Sequence, residues 1–183
     1  MKLFLYILII LTSLSFKSYA NNEELLMDKF LEKELEDFEI IKENKNISNL
    51  TFEDHTGKKI KFANFKGKIL LINFWATWCA PCIKEMPSLD RLKLKINDDF
   101  DVIAISVDRD GVKKVTDFYK KNKINNLKKY FDVKNFLAKE MDLFGVPTSF
   151  FIDKNGNLIG YFQGDMEWDN ETVVKFVNFL IKN

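Results

Sequence analysis

Cysteine and histidine are scarce in this 183-residue sequence, which contains Cys79, Cys82 and a single histidine, His55. A structural zinc ion usually takes four such ligands, so this composition excludes a structural zinc site. A disulfide stabilises mainly by closing a long loop, and a bridge between residues three apart would add little. His55 lies in a predicted turn and receives no functional role. The cysteine pair is therefore predicted to perform redox chemistry and to bind no metal.

Signatures of phosphate binding and of nucleic-acid binding are also absent. The sequence has no glycine-rich phosphate loop, no internal repeat and no concentrated tract of basic residues. Its 28 basic and 27 acidic residues nearly balance and give a formal net charge of +1. Such a balance offers no electrostatic basis for binding nucleic acid. We therefore predict no nucleic-acid partner and no bound cofactor.

The longest apolar run, Leu3 to Leu14, is shorter than the roughly 18 residues that a membrane-spanning helix needs. Lys2 precedes the run, and Ser18-Tyr19-Ala20 follows it with small residues where a signal peptidase cleaves. Residues 1–20 are therefore predicted to be a signal peptide, with an uncleaved membrane anchor as the alternative. Either one predicts a periplasmic or other extracytoplasmic location for the rest of the chain, where disulfides are permitted.

Residues 21–45 are rich in acidic side chains and form a segment distinct from the rest of the chain. Leu31, Leu35 and Phe38 have the i, i+4, i+7 spacing of an amphipathic helix, with charged residues between them. We predict that this segment is a helical extension that packs on the domain. Residues 46–183 are predicted to form that domain.

Strand and helix patterns alternate along residues 46–183, which indicates the α/β class. We predict a central mixed β-sheet flanked by helices, with parallel strands first and antiparallel strands last. The turn signal Asn155-Gly156 supports a hairpin in the antiparallel part. The predicted elements are, in order, a hairpin over 51–62, a strand over 69–74, a helix over 81–96, a strand over 102–107, helices over 112–119 and 136–144, strands over 149–153 and 158–162, and a helix over 172–181.

Both cysteines lie where a buried strand is predicted to meet a helix, in Trp75-Ala76-Thr77-Trp78-Cys79-Ala80-Pro81-Cys82. A helix N-terminus offers unpaired N–H groups and the positive end of the helix dipole, and both lower the pKa of a cysteine. Cys79 is therefore predicted to be an exposed nucleophile at this terminus. Cys82, one helical turn further on, can attack the mixed disulfide on Cys79 and release the substrate. Pro81 is compatible with the first turn.

Several segments of the sequence resemble one protein family. Residues 73–82 resemble the active-site signature of the thioredoxin superfamily, and residues 83–90 resemble its exported branch, which includes TlpA, ResA and CcmG. Gly145-Val146-Pro147-Thr148 is similar to the cis-proline loop of the superfamily. Gly164-Asp165-Met166-Glu167-Trp168-Asp169 resembles TlpA proteins in particular. The resemblance covers about residues 47–183 and implies a thioredoxin-like fold and a periplasmic thiol–disulfide oxidoreductase with a mainly reducing role.

This resemblance implies a substrate-binding surface beside the nucleophile. A cis bond between Val146 and Pro147 would leave the Val146 backbone free to pair with an extended substrate chain next to Cys79. Thr148 follows in the next strand and belongs to the same predicted substrate-binding set. Trp78, adjacent to the nucleophile, is predicted to shield the site and to offer a surface for the substrate.

Glu85 is the candidate acid of the site, because the matching glutamate of the exported branch is an active-site acid. It lies three residues after Cys82 and therefore on the same helix face, where it could take the Cys82 proton. The alternative for Glu85 is a solvated surface residue. Cytosolic thioredoxins carry a buried aspartate where this chain has Asn73, and an asparagine cannot transfer a proton. Trp75 is predicted to be structural.

The resemblance also implies the partners of the enzyme. Relatives of the exported branch are recharged by a membrane thiol transporter of the DsbD or CcdA type. They reduce either the cysteines of apocytochrome c or the thiols of copper-site and copper-delivery proteins. The expected substrates are therefore exported dithiol proteins, and both classes stay open on the sequence.

Other functions use the same fold and are weighed against a reductase. Oxidising enzymes of the DsbA kind have Pro-His between the cysteines, whereas Ala80-Pro81 resembles the reducing relatives. Peroxiredoxins have Thr-x-x-Cys, whereas Thr77 is only two residues before Cys79. Copper carriers space their cysteines one residue wider and use a downstream histidine, whereas His55 is upstream. A reductase is the preferred prediction, with an oxidising disulfide donor or a non-enzymatic copper carrier as the alternatives.

Overall fold

The computed structural model describes Leu35 and residues 37–182. The predicted signal peptide, residues 1–20, lies outside these residues. So does most of the predicted helical extension, residues 21–45. Among the described residues, none of the helices is both long enough and apolar enough to cross a membrane.

The helix prediction for residues 21–45 is wrong in the part that the structure describes. Phe38–Ile40 is a β-strand, β1, and not part of a helix. It pairs antiparallel with residues 160–162, and the buried ring of Phe38 packs edge-on against Phe151 and Phe176. Hydrogen bonding to a sheet edge and burial of this ring together outweigh the helical spacing of the sequence.

One mixed sheet forms the centre of the described residues. Besides β1, its strands are β2 (Thr51–Asp54), β3 (Lys59–Lys61), β4 (Ile69–Trp75), β5 (Phe100–Ser106), β6 (Tyr130–Phe131), β7 (Thr148–Ile152) and β8 (Leu158–Gln163). They lie in the order β1-β8-β7-β4-β5-β6-β2-β3. The β4–β5 and β5–β6 pairs are parallel, and the other pairs are antiparallel.

The helices described within residues 37–182 flank this sheet. They are α1 (Ala80–Lys95), α2 (Val112–Lys121), α3 (Phe136–Glu140) and α4 (Glu171–Lys182), and a 3-10 helix follows β3 at Phe62–Phe65. The predicted α/β class, with a central mixed sheet between helices, is confirmed. Helix α3 ends four residues earlier than predicted, because Asp142 has a left-handed φ of 54° that the α-helix does not allow.

Strand β4 is buried on both faces and is the centre of the core. Leu70, Ile72 and Phe74 alternate toward one face, where they join a cluster that includes Leu137 of α3. The intervening positions, Asn73 among them, alternate toward the other face. β4 therefore carries a buried polar side chain, Asn73, within an apolar strand, seven residues before α1 begins at Ala80.

Candidate active site

The two cysteines form a disulfide at the start of α1. Their sulfurs are 2.06 Å apart and their Cα atoms 5.3 Å apart. Cys79 is the residue that caps the helix, and the backbone N–H of Cys82 donates to Cys79 Sγ at 3.2 Å. A donor aimed at this sulfur stabilises a thiolate there, as does the positive end of the helix dipole.

Exposure separates the two sulfur-bearing side chains. Cys79 is 5% exposed and Cys82 is fully buried at 0%. Cys79 is thus less exposed than the sequence suggested, because the loop before β7 lies against it, with Val146 O 3.6 Å from Cys79 Sγ. Since the remaining accessible surface belongs to Cys79, a substrate disulfide can reach only this cysteine without rearrangement.

The loop before β7 has the geometry that the resemblance implied. The Val146–Pro147 peptide bond is cis, and the carbonyl of Pro147 accepts from Gly164 N at 3.0 Å. Thr148, included in the predicted substrate-binding set, is only 3% exposed, and its hydroxyl donates to Gly145 O at 2.8 Å. Its side chain therefore braces the loop and has little surface for a substrate. Pro147 is buried as well, so Val146 is the accessible member of the predicted loop residues Val146, Pro147 and Thr148.

A groove of about 670 Å³ opens beside the disulfide. Trp78 is 64% exposed and Phe144 is 87% exposed, and both line the groove together with Val146. Basic side chains also line it, at Arg109, Lys114 and Lys139. Trp78, adjacent to Cys79, thus presents an exposed aromatic surface to this groove.

Asp108 is a residue of this site that the sequence analysis missed. It is 1% exposed and accepts three hydrogen bonds, from Thr77 N at 2.8 Å, Thr77 Oγ1 at 2.7 Å and Ser106 Oγ at 2.8 Å. These bonds fix the turn that leads into Cys79. The sequence did hold a signal for Asp108, because it directly follows the strand predicted over 102–107. That strand is parallel to β4, so its carboxyl end lies at the same sheet edge as the cysteines.

Glu85 is a buried acid and not a surface residue, with 1% exposure. Its Oε1 accepts from Asn73 Nδ2 at 2.8 Å. Its Oε2 accepts from Trp168 Nε1 at 2.8 Å and from Met166 N at 3.3 Å. Asn73 Nδ2 also donates to Ser149 Oγ at 2.9 Å. The buried asparagine of β4 therefore holds the acid in place, although it cannot itself carry the proton.

Burial raises the pKa of Glu85 from its ordinary value of 4.5 to about 7. Hydrogen bonds from Trp168, Asn73 and Met166 act in the opposite direction, because they stabilise the carboxylate, and burial outweighs them. A group with a pKa near the working pH is present in both protonation states. It can therefore take and return a proton without a large free-energy cost.

Comparison with known proteins decides the family of this chain. Residues 42–178 match the sequence profile of the Redoxin family. The thiol-disulfide oxidoreductase ResA of Bacillus thuringiensis subsp. konkukian is 34% identical over 130 residues, which cover 66% of this chain and 69% of the relative.

The chain belongs to the redoxin family.

Solved structures agree with this assignment. A thiol:disulfide interchange protein of the thioredoxin family from Chlorobium tepidum has a TM-score of 0.62 at 25% identity, covering 75% of this chain and 98% of that one. The pneumococcal exposed lipoprotein thioredoxin Etrx1 of Streptococcus pneumoniae has a TM-score of 0.60 at 26% identity, covering 71% and 98%. This redoxin is therefore a thioredoxin-like thiol–disulfide oxidoreductase of the TlpA, ResA and CcmG branch.

No metal-binding group emerges from the part of the redoxin that the structure describes. Within it, no three His, Cys, Asp or Glu side chains are arranged to hold a metal ion. His55 is exposed in the turn between β2 and β3, far along the chain from the cysteines. The geometry places Trp78, Val146 and the turn bonded to Asp108 beside the disulfide of Cys79 and Cys82. It places Glu85, bonded to Trp168, one helical turn further along α1.

Proposed function

We propose that this redoxin reduces disulfides in exported proteins, in the periplasm or at the extracytoplasmic face of the membrane. The observation that carries the proposal is the Cys79–Cys82 disulfide at a helix N-terminus, with Cys79 alone reachable beside an open groove. Two further observations support the location. One is the signal-peptide pattern of residues 1–20, and the other is the description of Etrx1 as an exposed lipoprotein.

The proposed cycle moves two electrons from the enzyme dithiol to the substrate disulfide. The Cys79 thiolate attacks one substrate sulfur, the substrate S–S bond breaks, and the other substrate sulfur leaves as a thiolate. Cys82 then attacks Cys79 Sγ, which re-forms the enzyme disulfide and releases the second substrate thiolate. Glu85 accepts the proton of Cys82 in this second step, since both side chains are buried and one helical turn apart.

The oxidised enzyme must be recharged by a dithiol donor after each cycle. Two electrons and two protons are needed to convert the Cys79–Cys82 disulfide back to two thiols. We propose that a membrane thiol transporter of the DsbD or CcdA type supplies them, because an extracytoplasmic enzyme has no access to cytoplasmic reductants. This transporter and the substrate would use the same accessible sulfur, that of Cys79.

The substrate chain is proposed to lie in the groove, paired with the backbone of Val146. Val146 is half-buried beside Cys79 Sγ, so an extended chain hydrogen-bonded to it would bring a substrate disulfide next to the nucleophile. Trp78 and Phe144 offer apolar surface to the side chains that flank the substrate cysteine. Exported dithiol proteins, either apocytochrome c or copper-site proteins, are the proposed substrates.

Replacing Trp78 with alanine is expected to raise the KM for a protein substrate about 5- to 30-fold and to leave kcat within about twofold. Loss of an exposed aromatic contact weakens binding by roughly 1–2 kcal/mol but leaves the cysteines untouched. Steady-state reduction of a disulfide-bonded protein measures both constants. Phe136→Ala is the matched control, because Phe136 is 66% exposed and does not line the groove. Equal KM changes in the two variants would remove Trp78 from the binding surface.

Trapping with a Cys82→Ser variant tests the proposed function directly. Without Cys82 the mixed disulfide on Cys79 cannot resolve, so substrates stay attached and can be identified by mass spectrometry. We expect exported apocytochrome c or copper-site proteins, recovered from the extracytoplasmic fraction. A Cys79→Ser, Cys82→Ser double variant controls for non-covalent capture. Cytoplasmic partners would contradict the proposed location, and wild-type enzyme found in cells mainly as the disulfide would contradict the reducing role.

A further inference from the structure

The segment between β8 and α4, residues 164–170, is fastened to α1 along three helical turns. Side chains along the length of α1 form hydrogen bonds and ion pairs with this segment. The contacts include Lys84 Nζ to Asp165 Oδ2 at 2.6 Å, Ser88 Oγ to Met166 O at 3.3 Å, Trp168 N to Ser88 Oγ at 3.0 Å, Arg91 Nε to Asp169 Oδ2 at 2.9 Å and Lys95 Nζ to Asp169 Oδ2 at 2.8 Å. The segment is therefore held in register with the helix that carries Cys82 and Glu85.

Trp168 lies in the middle of this segment and is 1% exposed. Its ring centroid is 5.9 Å from that of Phe162 and 6.4 Å from that of Phe151, so the sheet fixes the orientation of the indole. Its backbone N–H is bound by Ser88 Oγ, and its Nε1–H donates to Glu85 Oε2 at 2.8 Å. The position of the indole N–H is thus determined independently of the acid that it contacts.

We propose that Trp168 is a positioning residue that fixes the Glu85 carboxyl and sets the pH range in which the enzyme releases its substrate. An indole N–H can only donate, so it stabilises the carboxylate and offers nothing to the proton of the acid form. The Asn73 amide differs, because its Oδ1 lacks a hydrogen-bond partner within the described residues, and rotation of the amide would let it accept from protonated Glu85. Met166 N is a longer contact, at 3.3 Å.

Few charged groups compete with Trp168 at the Glu85 carboxyl. From α1 itself, Cys82 lies one turn away and titrates only in the reduced enzyme. From the segment, Asp165 raises the pKa of Glu85 by repulsion, although Lys84 pairs with Asp165. The sheet contributes Asn73 and Ser149, which are neutral. Loss of the indole donor is therefore the change that should most directly favour the protonated acid.

The inference is tested with Trp168→Phe, which keeps an aromatic ring and removes the N–H. This test rests on the proposed role of Glu85 in release. We expect the pKa of Glu85, measured by ¹³C NMR titration of the labelled carboxyl in the oxidised protein, to rise by about one to two units. The pH midpoint of substrate release should move by the same amount, so that release at pH 7 slows at least about fivefold.

Trp75→Phe is the matched control for this substitution. Trp75 is also fully buried, but its Nε1 has no hydrogen-bond partner within the described residues, so the same exchange removes no bond. Benzothienylalanine at position 168 keeps the size of the indole and lacks the N–H, and it replaces Trp168→Phe if that variant does not fold. An unchanged pKa of Glu85 in the position-168 variants would overturn the inference.

The role of Glu85 is checked separately in the same experiment. In a Glu85→Gln background, Trp168→Phe should leave the pH profile of release unchanged, because the titrating group is gone. If Glu85→Gln alone does not alter release, the proposed role of Glu85 fails, whatever Trp168 does to the pKa. If Glu85→Gln alters release while Trp168→Phe behaves like Trp75→Phe, only the inference about Trp168 fails.

Discussion

Replacing Cys79 with serine is expected to reduce insulin-disulfide reduction to the uncatalysed background. A serine hydroxyl is not ionised near neutral pH and cannot form a mixed disulfide, so the first step is lost entirely. Cys82 cannot substitute, because its side chain is fully buried. Cys82→Ser is expected to behave differently: it should form the mixed disulfide with substrate and fail to resolve it.

Alkylation of the reduced protein separates the two cysteines by an independent measurement. At neutral pH, iodoacetamide should label Cys79 first, because Cys79 is at the helix N-terminus and keeps some exposed surface. Peptide mapping at short reaction times reads out the order. Faster labelling of Cys82, or mixed-disulfide formation by Cys79→Ser, would reverse the assigned roles of nucleophile and resolving cysteine.

The parts of the fold that the sequence predicted well are those with strong local signals. Strand β4 is apolar except for Asn73, the turn at Asn155-Gly156 closes the β7–β8 hairpin, and Cys79 caps the helix that has Pro81 in its first turn. Each of these features is determined by neighbours within a few residues. Local patterns therefore predicted both the class of the fold and the position of the cysteine pair at the start of a helix.

Features that depend on distant contacts were harder to predict. Strand β1 forms because the far edge of β8 offers hydrogen bonds, and nothing near Phe38 indicates this. Glu85 was predicted as an acid only through the resemblance, and its burial depends on Trp168, which is 83 residues away. Local sequence cannot distinguish a buried glutamate from a solvated one on the same helix, because the neighbouring layer decides its exposure.

The burial of Glu85 changes what its removal should cost. At a partly exposed site, water could take the proton of Cys82 and the loss would be small. Glu85 is 1% exposed, and the donors around it are protein groups: Asn73, Met166 and Trp168. General acid–base catalysis typically raises a reaction rate by about 10²–10⁴-fold. Because Glu85 is closed off from water, its removal is expected to slow the release step by a factor inside this range and not below it.

The Glu85 carboxyl also makes the stability of the folded protein depend on pH, and its raised pKa determines the direction of this dependence. The pKa of Glu85 is about 7 in the folded protein and near 4.5 when unfolded, so the folded state binds the proton more tightly. The contribution of Glu85 to the free energy of unfolding is therefore fully present below pH 4.5 and is lost as the pH rises through 7. The free energy of unfolding of the wild type should fall by about 3 kcal/mol relative to Glu85→Gln across this window, as measured by urea denaturation.

Glu85→Gln is expected to leave the first attack by Cys79 unchanged and to slow substrate release by about 10²-fold at pH 7–8. The glutamine amide is neutral, and its oxygen can still accept from Trp168 Nε1. Its NH2 group can donate to Asn73 Oδ1 once the Asn73 amide rotates, so the contacts to Trp168 and Asn73 are both kept. Stopped-flow kinetics across pH 5–9 should show that release accelerates through pH 7 in the wild type and not in the variant.

If Glu85 acted instead as a fixed negative charge, the variant would show lowered thiol pKa values and a shifted redox potential with turnover little changed. Identical pH profiles and potentials in both proteins would leave Glu85 with no part in the reaction, because a buried acid that titrates near 7 cannot take a proton in release without altering its pH dependence.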